Sequence, residues 1–163
     1  MFKHILFLIM LEDFMFYWIH RMMHIKHKYL PLYQTFHKYH HEFKDTVSIS
    51  ASYSPPPEYA LANNMPFFAG PIFLGSKFHF TTFYLWAILR ALEAADSHSG
   101  YEFPWNPIRL LPFSGDATHH QFHHKKNVGN FGTFTYIWDT LFNTSTEFYK
   151  SYPEGARPEY VAA

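Results

Sequence analysis

The chain contains no cysteine among its 163 residues. This excludes disulfides, zinc sites built from thiolates, cysteine-ligated iron–sulfur clusters and thiolate-ligated haem. The formal net charge is zero, so no excess of positive charge indicates a nucleic-acid partner. The amino terminus lacks the charged region and small-residue cleavage site of a signal peptide, and we do not interpret it as one. A single domain of ordinary size is expected.

Charged residues are scarce in two long apolar segments. Residues 5–19 are apolar except for one acidic pair, and residues 59–89 contain Lys77 as their only charged residue. Aromatic residues make up 21% of the chain, which favours lipid contact or an apolar substrate cavity. Because Pro and Gly interrupt the second segment, it predicts a tilted or partly inserted helical hairpin with Lys77 and His79 near its tip. A buried core hairpin in a soluble protein is the alternative.

The chain has 13 histidines, and eight of them form three tight clusters. The clusters are His20 and His24; His37, His40 and His41; and His120, His123 and His124. Residues at positions i, i+3 and i+4 project from one face of a helix. We therefore expect helices to carry the clusters and each cluster to direct its imidazoles at a common point. Because imidazole is the commonest metal ligand and eight donors exceed the needs of one ion, the clusters predict two metals.

The metal itself follows less directly from these ligands. Imidazole suits zinc, iron, copper and nickel. A zinc hydrolase needs three protein ligands and one open position, whereas eight or nine histidines favour a dinuclear redox centre that binds dioxygen between its metals. Iron is the natural choice for such a centre, although ligand type alone leaves zinc open.

Other histidines could join the site. His98 stands at the end of the apolar hairpin and could return as a ninth ligand, and His119 is placed to replace or supplement His120. His27 shares the helical face of the first cluster, but the basic residues around it predict an exposed position. His4 and His79 remain unassigned.

Three carboxylates are candidates for orienting the ligands. Asp13 lies seven residues before His20 and so on the same helical face, where it could accept the N–H of an imidazole. Asp96, just before His98, and Asp116, just upstream of the third cluster, are weaker candidates. Glu12, Glu42 and Asp45 complete the acidic residues near the clusters, the last two equally suited to a solvated surface.

The flanks of the clusters predict their side of the membrane. Seven basic residues adjoin them: Arg21, Lys26, Lys28, Lys38, Lys44, Lys125 and Lys126. The positive-inside rule then places the metal site on the cytosolic side. We interpret residues 48–57 as a Ser/Pro linker, residues 1–150 as one domain and residues 151–163 as a flexible tail.

Several motifs resemble, in order, those of the fatty acid hydroxylase / sterol desaturase superfamily, and most closely its C4-methylsterol oxidase branch. They cover roughly residues 11–145: Glu12-Asp13 with His20-Arg21-Met22-Met23-His24, His37-Lys38-Tyr39-His40-His41-Glu42-Phe43, Asp96-Ser97-His98-Ser99-Gly100-Tyr101, His119 to His124, Gly129-Asn130-Phe131-Gly132 and Trp138-Asp139. Three positions depart from the branch pattern. Pro55 replaces the histidine of a Tyr-Ala-His-Pro-x-Glu motif, and Thr140 and Asn143 stand where Arg and Gly are usual. The change from Gly is mild, because Asn tolerates the left-handed turn.

The resemblance implies an integral endoplasmic-reticulum enzyme with a histidine-ligated centre of two iron ions. It further implies oxidation of unactivated C–H bonds of lipids by dioxygen, with electrons from NAD(P)H delivered by cytochrome b5 and its reductase. The branch oxidises methyl groups at sterol C4 to the carboxylate. The resemblance also strengthens His98 as a ligand, and it implies further amino-terminal membrane helices, of which this chain begins inside the last.

The expected fold is therefore all-α, with cytosolic helices that carry the histidines above a short membrane hairpin. The expected function is oxidation of sterol C4-methyl groups by a membrane-bound di-iron oxygenase. Two alternatives stay open: a hydroxylase or desaturase of fatty acyl or sphingolipid chains, and an inactive fragment that binds zinc.

Overall fold

A computed structural model describes residues 1–153, and within them the regular elements are helices and short helical turns. The α-helices are α1 (Phe2–Met23), α2 (Pro56–Glu58), α3 (Met65–Leu74), α4 (Phe80–Ser97), α5 (Ala117–Lys126), α6 (Ile137–Leu141) and α7 (Thr146–Ser151). Shorter π-helical and 3-10 turns are Tyr33–His37, His40–Glu42, Ser48–Ser52, Tyr59–Asn64, Gly75–Lys77 and Pro107–Leu110. Only two isolated β-bridges occur in this part of the chain. The all-α prediction is confirmed there; residues 154–163 of the predicted tail lie outside the described residues.

The long helix α1 has two apolar faces. One is buried and includes Leu8, Phe16 and Tyr17, together with Asp13 and His20. The other recurs every fourth residue and is at least 38% exposed at each position: Phe2, Leu6, Met10, Phe14, Trp18 and Met22. Within residues 1–153, no helix has both the length and the apolar character needed to cross a membrane.

The predicted hairpin is formed by α3 and α4. Gly75, with φ +52°, ends α3, and a 3-10 turn through Lys77 leads to α4. His79 precedes α4 and accepts a hydrogen bond from the backbone N–H of Thr81 at 3.2 Å, which satisfies one of the free donors at a helix start. His79 therefore has a capping role at the tip. Whether the hairpin enters a membrane stays a prediction.

Helix α1 packs against this hairpin. A Cβ on Gly70 would lie 2.3 Å from Leu8 Cδ2, so only glycine permits so close an approach of α3. Trp86 of α4 is fully buried, and its indole N–H donates to the Phe67 carbonyl at 3.1 Å. Its ring also stacks on Phe134 at 5.8 Å. This core holds α1 against the hairpin, and the carboxyl-terminal ends of α1 and α4 carry histidines.

The interpretation of residues 48–57 as a linker is wrong. The segment contains the 3-10 turn Ser48–Ser52, which packs against α4, and then enters α2 at Pro56. Proline suits the first turn of a helix because the N–H it lacks would have no helical partner there. The segment brings Glu58 and Ala51 to the histidines.

Candidate metal centre

Nine buried or half-buried imidazoles lie in two adjacent groups. The first group is His20, His24, His37, His41 and His123; the second group is His40, His98, His120 and His124. Within each group the candidate ligand atoms all lie within 4.8 Å of one another. The two groups touch where His41 stacks on His124, with ring centroids 4.5 Å apart. All eight histidines of the three clusters, and His98, are thus brought together.

The clusters do not each converge on one point, and for the second and third clusters that prediction is wrong. The pair His37 and His41 joins the first group while His40 joins the second. Likewise the pair His120 and His124 joins the second group while His123 joins the first. Residues four apart share a group because they lie above one another on a helix; the intervening residue projects to the side and reaches the other group.

Hydrogen bonds at Nδ1 fix the orientation of six of these rings. The Nδ1 atoms approach acceptor oxygens as follows: His20 to Phe131 O at 2.9 Å, His37 to Glu58 Oε1 at 2.6 Å, His40 to Tyr53 O at 3.2 Å, His98 to Ala94 O at 3.0 Å, His123 to Gly129 O at 2.5 Å and His124 to Phe43 O at 3.0 Å. A carbonyl or carboxylate oxygen requires that Nδ1 carry the proton. In neutral imidazole the lone pair is then on Nε2, which is the tautomer in which metal-bound histidines are commonly held.

Where both rings of a facing pair donate through Nδ1, no proton lies between their Nε2 atoms. His98 and His40 both donate through Nδ1, yet their Nε2 atoms are 3.4 Å apart. The Nε2 atoms of His20 and His123 are buried and have no hydrogen-bond partner among the described residues. Buried polar atoms are normally paired, and lone pairs that face each other repel unless a cation lies between them. The donor set therefore fits bound metal ions.

Burial also keeps the rings in the metal-binding form. It lowers the pKa of His40 to about 4 and that of His41 to about 2, with nearby imidazoles lowering the latter further. Burial likewise holds the pKa values of His98, His120 and His124 well below the ordinary value. The charged form loses more by leaving water than the neutral form does. The rings are accordingly neutral at physiological pH, and only the neutral ring can bind a metal.

His119 is not brought together with the other nine histidines. Its Nδ1 lies 2.8 Å from Asp116 Oδ1, and its ring is stacked against Phe148 and Tyr136, at 4.0 and 5.2 Å between centroids. Asp116 also accepts from the His119 backbone N–H at 2.8 Å and so caps α5. This pair holds the start of the helix that carries the third cluster.

The other two candidate carboxylates contact side chains other than imidazoles. Asp13 is fully buried on the face of α1 that also carries His20, as its helical position predicts. It accepts hydrogen bonds from Thr133 and Thr135, the shortest at 2.6 Å from Thr135 Oγ1. It thereby holds the loop whose Phe131 carbonyl orients His20. Asp96 pairs with Arg109 at 2.6 Å and fixes the segment between α4 and α5.

Glu58 supports a histidine, a role that the sequence motifs did not predict. Its Oε1 lies 2.6 Å from His37 Nδ1, and the side chain is 3% exposed. Burial raises the pKa of Glu58 to about 8. The sequence signal for this role was the final Glu of the Tyr-Ala-His-Pro-x-Glu motif, which Glu58 matches. Asp139 has a similar supporting role, since it accepts the backbone N–H groups of Phe131 and Gly132 at 2.8 and 2.7 Å.

Two cavities lie in this part of the protein, and the smaller one is lined by histidines. A small one of about 30 Å³ is lined by members of both groups, among them His20, His37, His40, His98 and His120, and has room for about two waters. A larger pocket of about 380 Å³ lies between α4, the turn Tyr59–Asn64 and the turn Ser48–Ser52. Ala51, Asn63, Arg90 and Ala94 line both cavities.

Comparison with known sequences identifies the family to which the chain belongs. The sequence model of the fatty acid hydroxylase family matches residues 5–144. The chain belongs to the fatty acid hydroxylase family. The family predicted from the motifs is therefore confirmed, and no solved structure matches the chain.

Curated relatives of this fatty acid hydroxylase family member include aldehyde decarbonylases and methylsterol monooxygenases. A very-long-chain aldehyde decarbonylase of Oryza sativa subsp. indica is 40% identical over 153 residues, which cover 91% of this chain and 54% of the relative. A putative methylsterol monooxygenase of Dictyostelium discoideum is 40% identical over 141 residues (86% and 49%), and methylsterol monooxygenase 1 of Danio rerio is 39% identical over 143 residues (87% and 46%). The methylsterol monooxygenases agree with the predicted branch. The chain spans about half the length of these relatives.

Proposed function

We propose that this chain forms the metal-binding core of a membrane-bound di-iron oxygenase that uses dioxygen to oxidise the C4-methyl groups of sterols. The observation that carries the proposal is the pair of histidine groups, in which six rings are held by Nδ1 and present Nε2 inward. The family match supports the same chemistry.

The nine histidines would hold one iron ion in each group. When bound, two iron ions supply the redox chemistry by which dioxygen attacks an unactivated C–H bond. The chain's own residues do the rest: Glu58 and the backbone carbonyls keep the rings in one tautomer, and the buried groups exclude bulk water from the small cavity. His119 is not part of this ligand set, and Asp13 and Asp116 act on the loops and helix that position it.

The methylsterol substrate is supported by the names of relatives at 39–40% identity and by a pocket within the size range of lipid-sized ligands. A second candidate is aldehyde decarbonylation, which the rice relative favours by its name. Hydroxylation or desaturation of acyl or sphingolipid chains, and an inactive zinc-binding fragment, are the remaining alternatives from the sequence.

We place the protein in the endoplasmic-reticulum membrane with the metal centre towards the cytosol. The exposed apolar stripe of α1 and the basic residues beside the clusters support this orientation. Electrons would come from NAD(P)H through cytochrome b5 and its reductase, as the family resemblance implies.

The test is to purify the protein from membranes, measure its metals and identify its products by mass spectrometry. We expect two irons per chain and conversion of a C4-methylsterol to its hydroxymethyl and carboxylate products under dioxygen with a reductant. An alkane from a long-chain aldehyde would select the decarbonylase, and a hydroxylated or desaturated acyl chain would select the acyl alternative. One zinc per chain and no turnover would refute an oxygenase.

A further inference from the structure

The larger pocket, called the slot below, has lining residues of two main kinds. Four are alanines of α4: Ala87, Ala91, Ala94 and Ala95. Positions spaced by four and by seven or eight residues lie on one helical face, so these methyl groups make a smooth surface. Three others are aromatic: Tyr59, Phe67 and Phe68. A lining of methyl groups and aromatic side chains suits a flat, rigid, apolar molecule better than a flexible chain.

The slot and the small cavity share four lining residues, called the neck below: Ala51, Asn63, Arg90 and Ala94. Arg90 is fixed there, because its Nε donates to Glu12 Oε1 and its Nη1 to Glu93 Oε2, both at 2.7 Å. The neck therefore combines two small methyl side chains with a guanidinium group that is held in place.

Asn63 is the polar neck residue with spare hydrogen-bonding capacity. Its side chain makes no hydrogen bond within residues 1–153, in contrast to Arg90, which makes two. It is half-buried and lines both the slot and the small cavity, whose lining includes His20, His37 and His40. An amide can donate to and accept from a bound hydroxyl. Ligand pockets commonly combine apolar walls with a few polar groups that set orientation.

We propose that Asn63 and the alanine face of α4 select the substrate: a flat apolar lipid lies in the slot, and its hydroxyl or carbonyl group binds the Asn63 amide at the neck. This rests on the proposed function. The reacting carbon must lie within a few bonds of that polar group, because the small cavity beside the histidines, about 30 Å³, has room for only a small part of the molecule. Ala94 sets the width of the opening, and Asn63 sets the depth to which the molecule enters.

The test compares binding of three lipids to the metal-loaded protein in detergent. They are a C4-methylsterol, the same sterol without its ring hydroxyl, and a linear octadecanoyl lipid. The variants are Asn63→Leu, which keeps the volume but removes the amide, and Ala94→Leu, which fills the neck. Asn64→Leu is the matched control for the first, since Asn64 lines only the slot. Ala60→Leu, at an exposed position outside both cavities, controls for the second.

We expect the natural chain to bind the hydroxylated sterol about tenfold more tightly than the deoxy sterol, and the linear lipid more weakly than either. Asn63→Leu should bring the sterol ratio close to one, and Asn64→Leu should preserve it. Ala94→Leu should weaken both sterols while metal content stays unchanged.

Equal affinity of the natural chain for the two sterols would overturn the role of Asn63, and it needs no variant to fold. An unchanged ratio in Asn63→Leu would do the same, and unchanged affinity in Ala94→Leu would overturn the role of Ala94. Because binding is measured without turnover, selective binding with no oxidation would instead refute the proposed function. If the protein oxidises a sterol but binds the hydroxylated and deoxy sterols with equal affinity, only this inference is refuted.

Discussion

Replacing Glu58 by Gln should weaken metal binding in the first group by about tenfold without unfolding the protein. Glu58 accepts the Nδ1–H of His37 at 2.6 Å in a site that is 3% exposed. Gln keeps an acceptor oxygen and the shape but loses the negative charge, so the loss belongs at the lower end of the range for residues that support a ligand. Glu58→Ala leaves a buried N–H unpaired, and its loss should approach about 100-fold.

The assay is a titration of the metal-loaded protein with a competing chelator, with circular dichroism recorded on the same samples. Glu42→Gln is the matched control, because Glu42 is exposed and accepts a hydrogen bond from Tyr53 at 2.9 Å; its metal affinity should stay within about twofold. Full metal affinity in Glu58→Ala, with the fold intact, would refute the argument that this carboxylate holds His37 for a metal.

The same carboxylate predicts a pH dependence. Burial raises the pKa of Glu58 to about 8, so without a metal its carboxyl group is mostly protonated below pH 8, and a cation on His37 favours the ionised carboxylate. Metal affinity should therefore rise with pH by up to about tenfold per unit and level off above pH 8. The buried imidazoles add no slope in this range, because burial lowers their pKa values. Glu58→Gln should flatten the profile; a slope that persists would show another source.

Further changes test the ligands and their supports. His41→Ala and His124→Ala should each lower the metal content from two ions towards one. His27 is exposed, and His27→Ala should leave two ions bound. Equal loss of metal in all three variants would contradict the assignment of the ligands. Asp13→Asn should lower the free energy of unfolding by about 1–3 kcal/mol in urea titrations, because the Asp13 oxygens accept hydrogen bonds from Thr133 and Thr135. Unchanged stability would refute that role. Asp116→Ala removes the cap of α5 and should cost about 1 kcal/mol in the same assay; no change would mean the cap is redundant.

Local spacing predicts much of this protein. The pairs four residues apart, His20 with His24 and His120 with His124, do share their groups, because helical geometry alone decides that. The hairpin turn near Lys77 also follows from glycine and proline positions. These features depend on a few neighbouring residues, so the sequence contains the information needed to predict them.

The features that were missed depend on distant parts of the chain. His40 and His123 leave the groups of their neighbours His41 and His124 because adjacent residues on a helical turn project to different sides, and ligands from distant helices complete a second group there. Asp13 lies on the predicted face, but its partner Thr135 comes 122 residues later, and no periodicity reports such a contact. Glu58 reaches His37 only because a Ser/Pro segment folds into helical turns against α4.

The division of the histidines between two groups has a consequence for biosynthesis. Both groups take ligands from α5, His123 in the first and His120 and His124 in the second. Chains are made from the amino terminus, so neither group has all its ligands until the ribosome has passed residue 124. Metal loading must then follow synthesis of nearly the whole described chain, and a nascent chain stalled before α5 would expose imidazoles that still lack their last partners.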